Sequence, residues 1–198
     1  DTFNWTQVAV SRTWHSITSS SDGTKLAAGT NSGYMWTSAD SGVNWTERQP
    51  TGAATGETCI TSSSDGTKLA AGVSGGYIWT STDSGETWTE RTNAGGGVTR
   101  GWNNITSSSD GTKLAVGVLG GYIYTSTDSG VTWTERTASG IRDWRSITSS
   151  SDGTKLVAGV YGGYIWTSRD SGASWTTNSN SSGSRYWYSI TSSSDGTK

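Results

Sequence analysis

One cysteine, one proline, one histidine, one methionine and one phenylalanine occur among 198 residues. Cys59 alone cannot form an intrachain disulfide, and a single thiol leaves the redox compartment open. His15 alone gives no support to a Ser–His nucleophile or a His-rich zinc site. No apolar run reaches the 18 or so residues that a membrane helix needs. Charge is sparse and balanced, at a net −2. The arginines are scattered, so the basic stripe that nucleic acid requires is missing. Helix-forming runs are missing too, which predicts very low helix content.

Apolar residues make up only 30% of the chain, a level that by itself suggests disorder. Twelve tryptophans and eight tyrosines, placed periodically, reverse that reading. Each large aromatic buries about 150–250 Å², so a few of them build a core. The period is explicit. Ile-Thr-Ser-Ser-Ser-Asp-Gly-Thr-Lys begins at Ile17, Ile60, Ile105, Ile147 and Ile190, at spacings of 42 to 45 residues. A repeat of that length is one supersecondary unit per copy, with neighbours burying each other's apolar faces. The five lysines (Lys25, Lys68, Lys113, Lys155 and Lys198) share one repeat position and read as solvated turn residues.

The fourth copy shows the unit. Residues 145–151 form an alternating run that ends at Asp152-Gly153, a two-residue hairpin signal. Residues 154–160 give a second strand, and Gly162-Gly163 turns into Tyr-Ile-Trp-Thr-Ser at 164–168. Asp170-Ser171-Gly172 turns again, and 173–177 is the fourth strand. Four antiparallel strands in about 43 residues make one propeller blade. The expectation is an all-β chain, a β-propeller of four-stranded antiparallel blades. It has four complete blades, with repeats starting near 14, 57, 102 and 144, plus an incomplete fifth formed by both termini. The fifth takes a fourth-strand segment from 1–10, whose Asn4-Trp5-Thr6-Gln7 matches Asn44-Trp45-Thr46-Glu47, and a partial repeat from 187–198. Its middle two strands are missing, which leaves sheet edges that either a longer natural chain or another copy of the chain would complete.

The third turn of each unit reads S-x-D-x-G-x-x-W. Asp40, Gly42 and Trp45 recur as Asp83, Gly85 and Trp88, as Asp128, Gly130 and Trp133, and as Asp170, Gly172 and Trp175. This pattern resembles the Asp-box, or bacterial neuraminidase (BNR) repeat, over nearly the whole chain. The resemblance implies a propeller with the motif joining the third and fourth strands of each blade. Physically the motif is a turn lock: the carboxylate accepts from its own turn, glycine supplies a positive φ, and tryptophan packs back on the hairpin. No second carboxylate stands at metal-ligand spacing, and nothing in the sequence calls for a metal or a cofactor.

One face of such a ring carries the near-identical Asp-Gly hairpins and Asp-box turns. The other carries variable turns, with Asn31, Ser74, Leu119 and Tyr161 at equivalent places, and links of unequal length. Arg-x-Trp recurs in these links as Arg12/Trp14, Arg100/Trp102, Arg142/Trp144 and Arg185/Trp187, with Thr55 and Glu57 breaking the rule. Indole and guanidinium side by side can hold a sugar, or they can plug the seam between blades. These eight residues and Tyr161 are the candidate ligand-binding set.

Asp-box propellers include sialidases and other glycosidases, receptors, and photosystem II assembly factors. A sialidase needs clustered arginines, an acid/base and an activated tyrosine. Here twelve of the sixteen acids belong to the repeat, and of the other four only Glu57 and Asp143 are plausible loop carboxylates, about two blades apart. Near-copies also lack the asymmetry that catalysis needs. The expectation is a non-catalytic, multivalent, lectin-like module, secreted rather than cytoplasmic, that binds glycan on its variable face. The alternatives are a protein-docking scaffold similar to the assembly factors, and an engineered or freshly amplified array with no selected ligand.

Overall fold

Short runs of β-branched and aromatic residues, each closed by a glycine turn, fold as the repeat demands. The computed structural model describes residues 11–32, 34–48, 56–177 and 184–198. The segment 1–10 and Thr55 lie outside the described residues. Blade 1 comprises β1 (Trp14–Ser19), β2 (Leu26–Thr30), β3 (Met35–Ser38) and β4 (Thr46–Arg48). Blade 2 has β5 (Thr58–Ser62), β6 (Leu69–Val73), β7 (Ile78–Ser81) and β8 (Thr89–Arg91). Blade 3 has β9 (Trp102–Ser107), β10 (Leu114–Val118), β11 (Ile123–Ser126) and β12 (Thr134–Arg136). Blade 4 has β13 (Trp144–Ser149), β14 (Leu156–Gly163), β15 (Ile165–Ser168) and β16 (Thr176–Thr177), with β17 (Arg185–Tyr186) paired to β14. Within each blade consecutive strands pair antiparallel. Two 3-10 turns, Ala94–Gly96 and Thr137–Ser139, are the only helical elements among the described residues. The molecule is an all-β propeller of four-stranded blades.

Residues 187–198 begin a fifth blade. They form the repeat's hairpin, in which the Ser193 amide donates to the Lys198 carbonyl, and they lie against blade 4 as each blade lies against its predecessor. The first strands sit side by side: Thr18 Oγ1 lies 3.0 Å from Ser62 Oγ, Thr106 Oγ1 3.1 Å from Ser149 Oγ, and Thr148 Oγ1 3.2 Å from Ser192 Oγ. Between blades lie the repeat isoleucines and the second-strand Leu-Ala residues, in three apolar clusters.

Both aspartate turns are built by their own side chains. In the Asp-Gly hairpins, Asp65 Oδ1 accepts from Ser63 Oγ at 2.6 Å and from the Thr67 amide at 3.0 Å. In the S-x-D-x-G-x-x-W turns, Asp83 accepts from the Thr87 amide at 2.9 Å, from Thr87 Oγ1 at 2.5 Å and from Ser81 Oγ at 2.7 Å. Ser81 Oγ in turn accepts the Gly85 amide at 2.9 Å. The serine before each motif glycine also enters the left-handed region: Ser41, Ser84, Ser129 and Ser171 have φ of 56–58°. An L-residue there is strained by about 1 kcal/mol or more, so two consecutive left-handed residues, not glycine alone, make this turn. Three motif tryptophans (Trp88, Trp133 and Trp175) donate to the carbonyl of their own motif glycine at 3.0 Å.

Two expectations need correction. The lysines are not simply solvated. Lys68, Lys113 and Lys155 donate through Nζ to the carbonyls of Asp110, Asp152 and Asp195 in the next blade's hairpin, at 2.8–2.9 Å. A long cation reaches across the seam because its stem packs over the facing glycine: a Cβ on Gly111 would meet the Lys68 stem at 2.8 Å. Blade 4 also departs from its predicted strands. β14 runs on through Gly163 because β17 pairs with it, and β16 is only two residues long, where Thr177 and Asn178 replace the Glu-Arg of the other blades.

These turns set an acid limit on the fold. Hydrogen bonds, first from Ser63 to Asp65 and from Thr87 to Asp83, hold both carboxyls down to about 2, against 3.8 for a free aspartate. In the interval between, the unfolded chain takes up protons that the folded turns refuse. Stability from this source is present above about pH 4 and is lost as pH falls towards 2. Urea midpoints are expected to be flat near neutrality and to fall below about pH 4. Asp83→Asn is expected to lower the neutral midpoint and to flatten the acid decline.

Candidate ligand-binding site

The repeated Arg-x-Trp pairs form seams, not a set of sugar platforms. Trp102 and Trp144 are 0% and 1% exposed. Each drops its side chain onto a glycine in the second strand of the preceding blade. A Cβ on Gly72 would stand 2.8 Å from Trp102 Cβ, one on Gly117 2.7 Å from Trp144 Cβ, and one on Gly159 2.7 Å from Trp187 Cβ. Trp102 Nε1 donates to the Gly76 carbonyl at 3.0 Å, and Trp187 Nε1 to the Gly163 carbonyl at 3.1 Å, both in the preceding blade's turn. Trp187 is half-buried, and Trp14, with no blade described before it, is 38% exposed. Trp102 and Trp144 have no free face for a ligand, and this removes them from the candidate set.

The arginine completes the seam. Its backbone pairs with the preceding blade's turn, as at Gly76–Arg100, Gly121–Arg142 and Gly163–Arg185. Its guanidinium lies over the third-strand aromatic of its own blade: Arg12 over Trp36 at 4.8 Å, Arg100 over Tyr124 at 5.3 Å and Arg142 over Trp166 at 4.2 Å. The link tryptophan meets the same ring edge-on in these three blades, as in Trp102–Tyr124 at 5.4 Å. Fourth-strand glutamates close the stack where they are present, with Arg12–Glu47 at 3.1 Å and Arg100–Glu135 at 3.9 Å. Tyr124 donates to Glu135, and burial followed by this bond pushes its hydroxyl above the usual phenol range.

Blade 2 explains its missing pair. In blades 1, 3 and 4 the first strand bulges just after the tryptophan, skipping His15, Asn103 and Arg145 in the register. Blade 2 pairs without a bulge, Thr58 with Val73 and Cys59 with Gly72. Thr58, not Glu57, therefore takes the tryptophan's place, over Gly29. Cys59 is buried there, and burial pushes its thiol up to about 12, so it is inert packing. Asp143, one of the two unassigned carboxylates, accepts from the Gly120 amide at 2.8 Å and orders that turn. Among the described residues no three His, Cys, Asp or Glu side chains gather as a metal site. A shallow groove on the constant face borders Asp40 and Glu86, but Asp40 is spent on its own turn.

One cluster on the variable face stands out. Tyr161 on β14 packs against Tyr186 on β17 at 4.6 Å and edge-on against Tyr188 at 5.7 Å. The Arg145 guanidinium lies 5.3 Å over the Tyr161 ring. Tyr161 is 38% exposed, and Tyr186 and Tyr188 about two-thirds. A hydrogen bond with Tyr188 raises the Tyr161 hydroxyl above its ordinary value. The bulge aims Arg145: it is the skipped residue, so its side chain leaves the strand towards Tyr161. Of the predicted set, Tyr161 and Arg185 come together here, Arg185 through its backbone at Gly163 and with its side chain exposed. Tyr186, Tyr188 and Arg145 were missed. The signal was available: the last link reads Arg-Tyr-Trp-Tyr, where the other links place small, polar or charged residues around tryptophan.

No known protein family and no curated protein matches the chain. Solved structures do. It is similar to a GH74 enzyme of Niastella koreensis, at 22% identity and a TM-score of 0.64, covering 83% of this chain and 24% of that one. It is similar to YCF48 bound to D1 peptide, at 17% identity and a TM-score of 0.65, covering 87% and 55%. It is also similar to the β-propeller domain of Myceliophteria thermophila Cps50 (Swd1), at 12% identity and a TM-score of 0.70, covering 91% and 59%. The chain spans between a quarter and three fifths of these structures' length. At such identities the likeness carries the propeller fold and no activity.

The glycine seats carry a direct test. Gly117 has no positive φ, so alanine suits its backbone, but the new Cβ would meet the stem of Trp144, which cannot swing away. Gly117→Ala is expected to lower unfolding free energy by about 1–3 kcal/mol in urea titration. Trp102→Ala, which empties the equivalent seat, should lower it by about 3–5 kcal/mol.

Proposed function

We propose that this propeller is a non-catalytic binding module, an Asp-box protein by its turns, and that it takes its ligand at the Tyr161–Tyr186–Tyr188–Arg145 cluster. The observation that carries the reading is local divergence. Blades that otherwise copy one another diverge where these four residues meet, and there the aromatics stand exposed instead of plugging a seam. Tyrosine and arginine are the residues that binding surfaces concentrate, because they offer large contact area with a polar end.

The ligand class the cluster favours is carbohydrate. Tyrosine faces offer apolar platforms for the CH faces of a sugar ring, and phenol and guanidinium groups supply directional donors to its hydroxyls. The site is asymmetric: among the described residues Trp102 and Trp144 are buried, so blades 3 and 4 offer no tryptophan platform of the repeated kind. A module of this kind works at a cell exterior, consistent with secretion. The near-copied blades, with their acids spent in turns, favour binding over catalysis.

A second reading, peptide docking, draws on the same surface and on a neighbour of this fold that is described as bound to a peptide. A glycan array with the full chain separates the two. Binding to oligosaccharides that falls by about tenfold or more in Tyr186→Ala/Tyr188→Ala, and is unchanged in Arg12→Ala, supports the carbohydrate reading. A blank array beside specific capture of peptides by the unaltered chain, lost in the tyrosine variant, selects docking. Indifference of all binding to the two tyrosines rejects the site.

A further inference from the structure

The seams within the chain show what covers the first strand of a blade, and among the described residues nothing covers that strand in blade 1. Ile60, Ile105 and Ile147 are 4–6% exposed, whereas the equivalent Ile17 is 68% exposed. Gly66, Gly111, Gly153 and Gly196 each face a lysine stem of the preceding blade, whereas Gly23 has nothing within 4 Å. A file of backbone hydrogen bonds runs across the blades at 2.7 Å: Ser21 to Ser64, Ser64 to Ser109, Ser109 to Ser151 and Ser151 to Ser194. Among the described residues no amide continues it onto the Ser21 carbonyl. Trp14, Ile17, the Ser21 carbonyl and Gly23 thus form one face unpartnered among the described residues. Theirs are the positions the internal seams use, with Thr58 in the tryptophan's place on blade 2.

The surface that fits this face is also present, at blade 4, where residues 187–198 occupy it. The Ile190 amide donates to Ser146 Oγ at 2.8 Å, Ser192 Oγ donates to the Ser149 carbonyl at 3.0 Å, and Lys155 Nζ donates to the Asp195 carbonyl at 2.8 Å. Trp187 sits over Gly159. Residues 14–25 repeat this segment with one difference, His15 for Tyr188. Every group of 187–198 just named as holding it on blade 4 is therefore also present in 14–25. Among the described residues, 14–25 is backed by the paired strands of a whole blade, whereas 187–198 contributes a single hairpin to the seam.

We propose that blade 1 of a second copy of this chain docks on blade 4, its residues 14–25 taking the place of 187–198. The contact is head-to-tail: each copy offers a different surface at each end, so two copies can close reciprocally or the series can extend. Residues 187–198 are then a competitor in cis that sets how readily copies join.

Light scattering on the full chain over a range of concentrations tests this, with the urea midpoint measured for each variant. Mass is expected to rise above that of a monomer as concentration rises. Ile17→Glu changes a residue exposed in the single chain, so the midpoint should hold while association weakens by roughly tenfold or more. Added peptide 14–25 should lower the mass as well. Trp187→Ala, which loosens the competitor, should raise the mass at a given concentration. A monomer at all concentrations overturns the proposal, as does association that resists both Ile17→Glu and the peptide. A mass unchanged or lowered by Trp187→Ala overturns the exchange.

Discussion

The rest of the structure depends on the close approach of each first strand to a glycine in the second strand of the blade before it. At Gly72, Gly117 and Gly159 a single methyl would collide with the stem of a tryptophan. That contact lets a chain with few apolar residues build a core, because an indole pressed on bare backbone and enclosed by the next blade, as at Trp102 and Trp144, buries its whole surface. The arginine two residues earlier follows from the same approach. With its backbone bound to one blade and its guanidinium over the aromatic of the next, it can lie only along the seam.

This arrangement makes the propeller quasi-one-dimensional. Each blade touches its neighbours and little else, so the interface energy is repeated along the chain. Aspartate turns hold the constant face through their own hydroxyl and amide donors, and three lysines add a crossing bond at three of the four seams. Where a seam departs from the repeat the change is compensated locally. Blade 2 drops the bulge and lets Thr58 take the indole's place, and blade 4 adds β17 against its extended second strand. The tyrosine cluster is a by-product of that second departure: two of its three rings lie in the last link, and the third is on the turn that β17 holds.

Much of this was legible in the residues. The 43-residue period, the Asp-Gly and S-x-D-x-G-x-x-W turns and the β-rich runs between them specify blades because each is a local signal, satisfied within a few residues. The Arg-x-Trp repeat was legible as a pattern but not as a role. A tryptophan on a seam and one on a binding face look identical in sequence; the difference is which surface lies opposite, and Gly72 lies 30 residues before Trp102. Strict repetition was evidence for the seam, since all seams are alike. Arg145 was hidden for another reason: only a register shift, invisible in a string of letters, turns it towards Tyr161.

By itself, then, the sequence determined the unit, its strands and its turns, because hydrogen bonds between near neighbours and the positive φ of its turn residues are local matters. The tertiary structure alone decided which aromatics are core and which are surface. Burial is a property of the blade that stacks on top, so Trp102 and Trp14, set in nearly the same local sequence, end one fully enclosed and the other open.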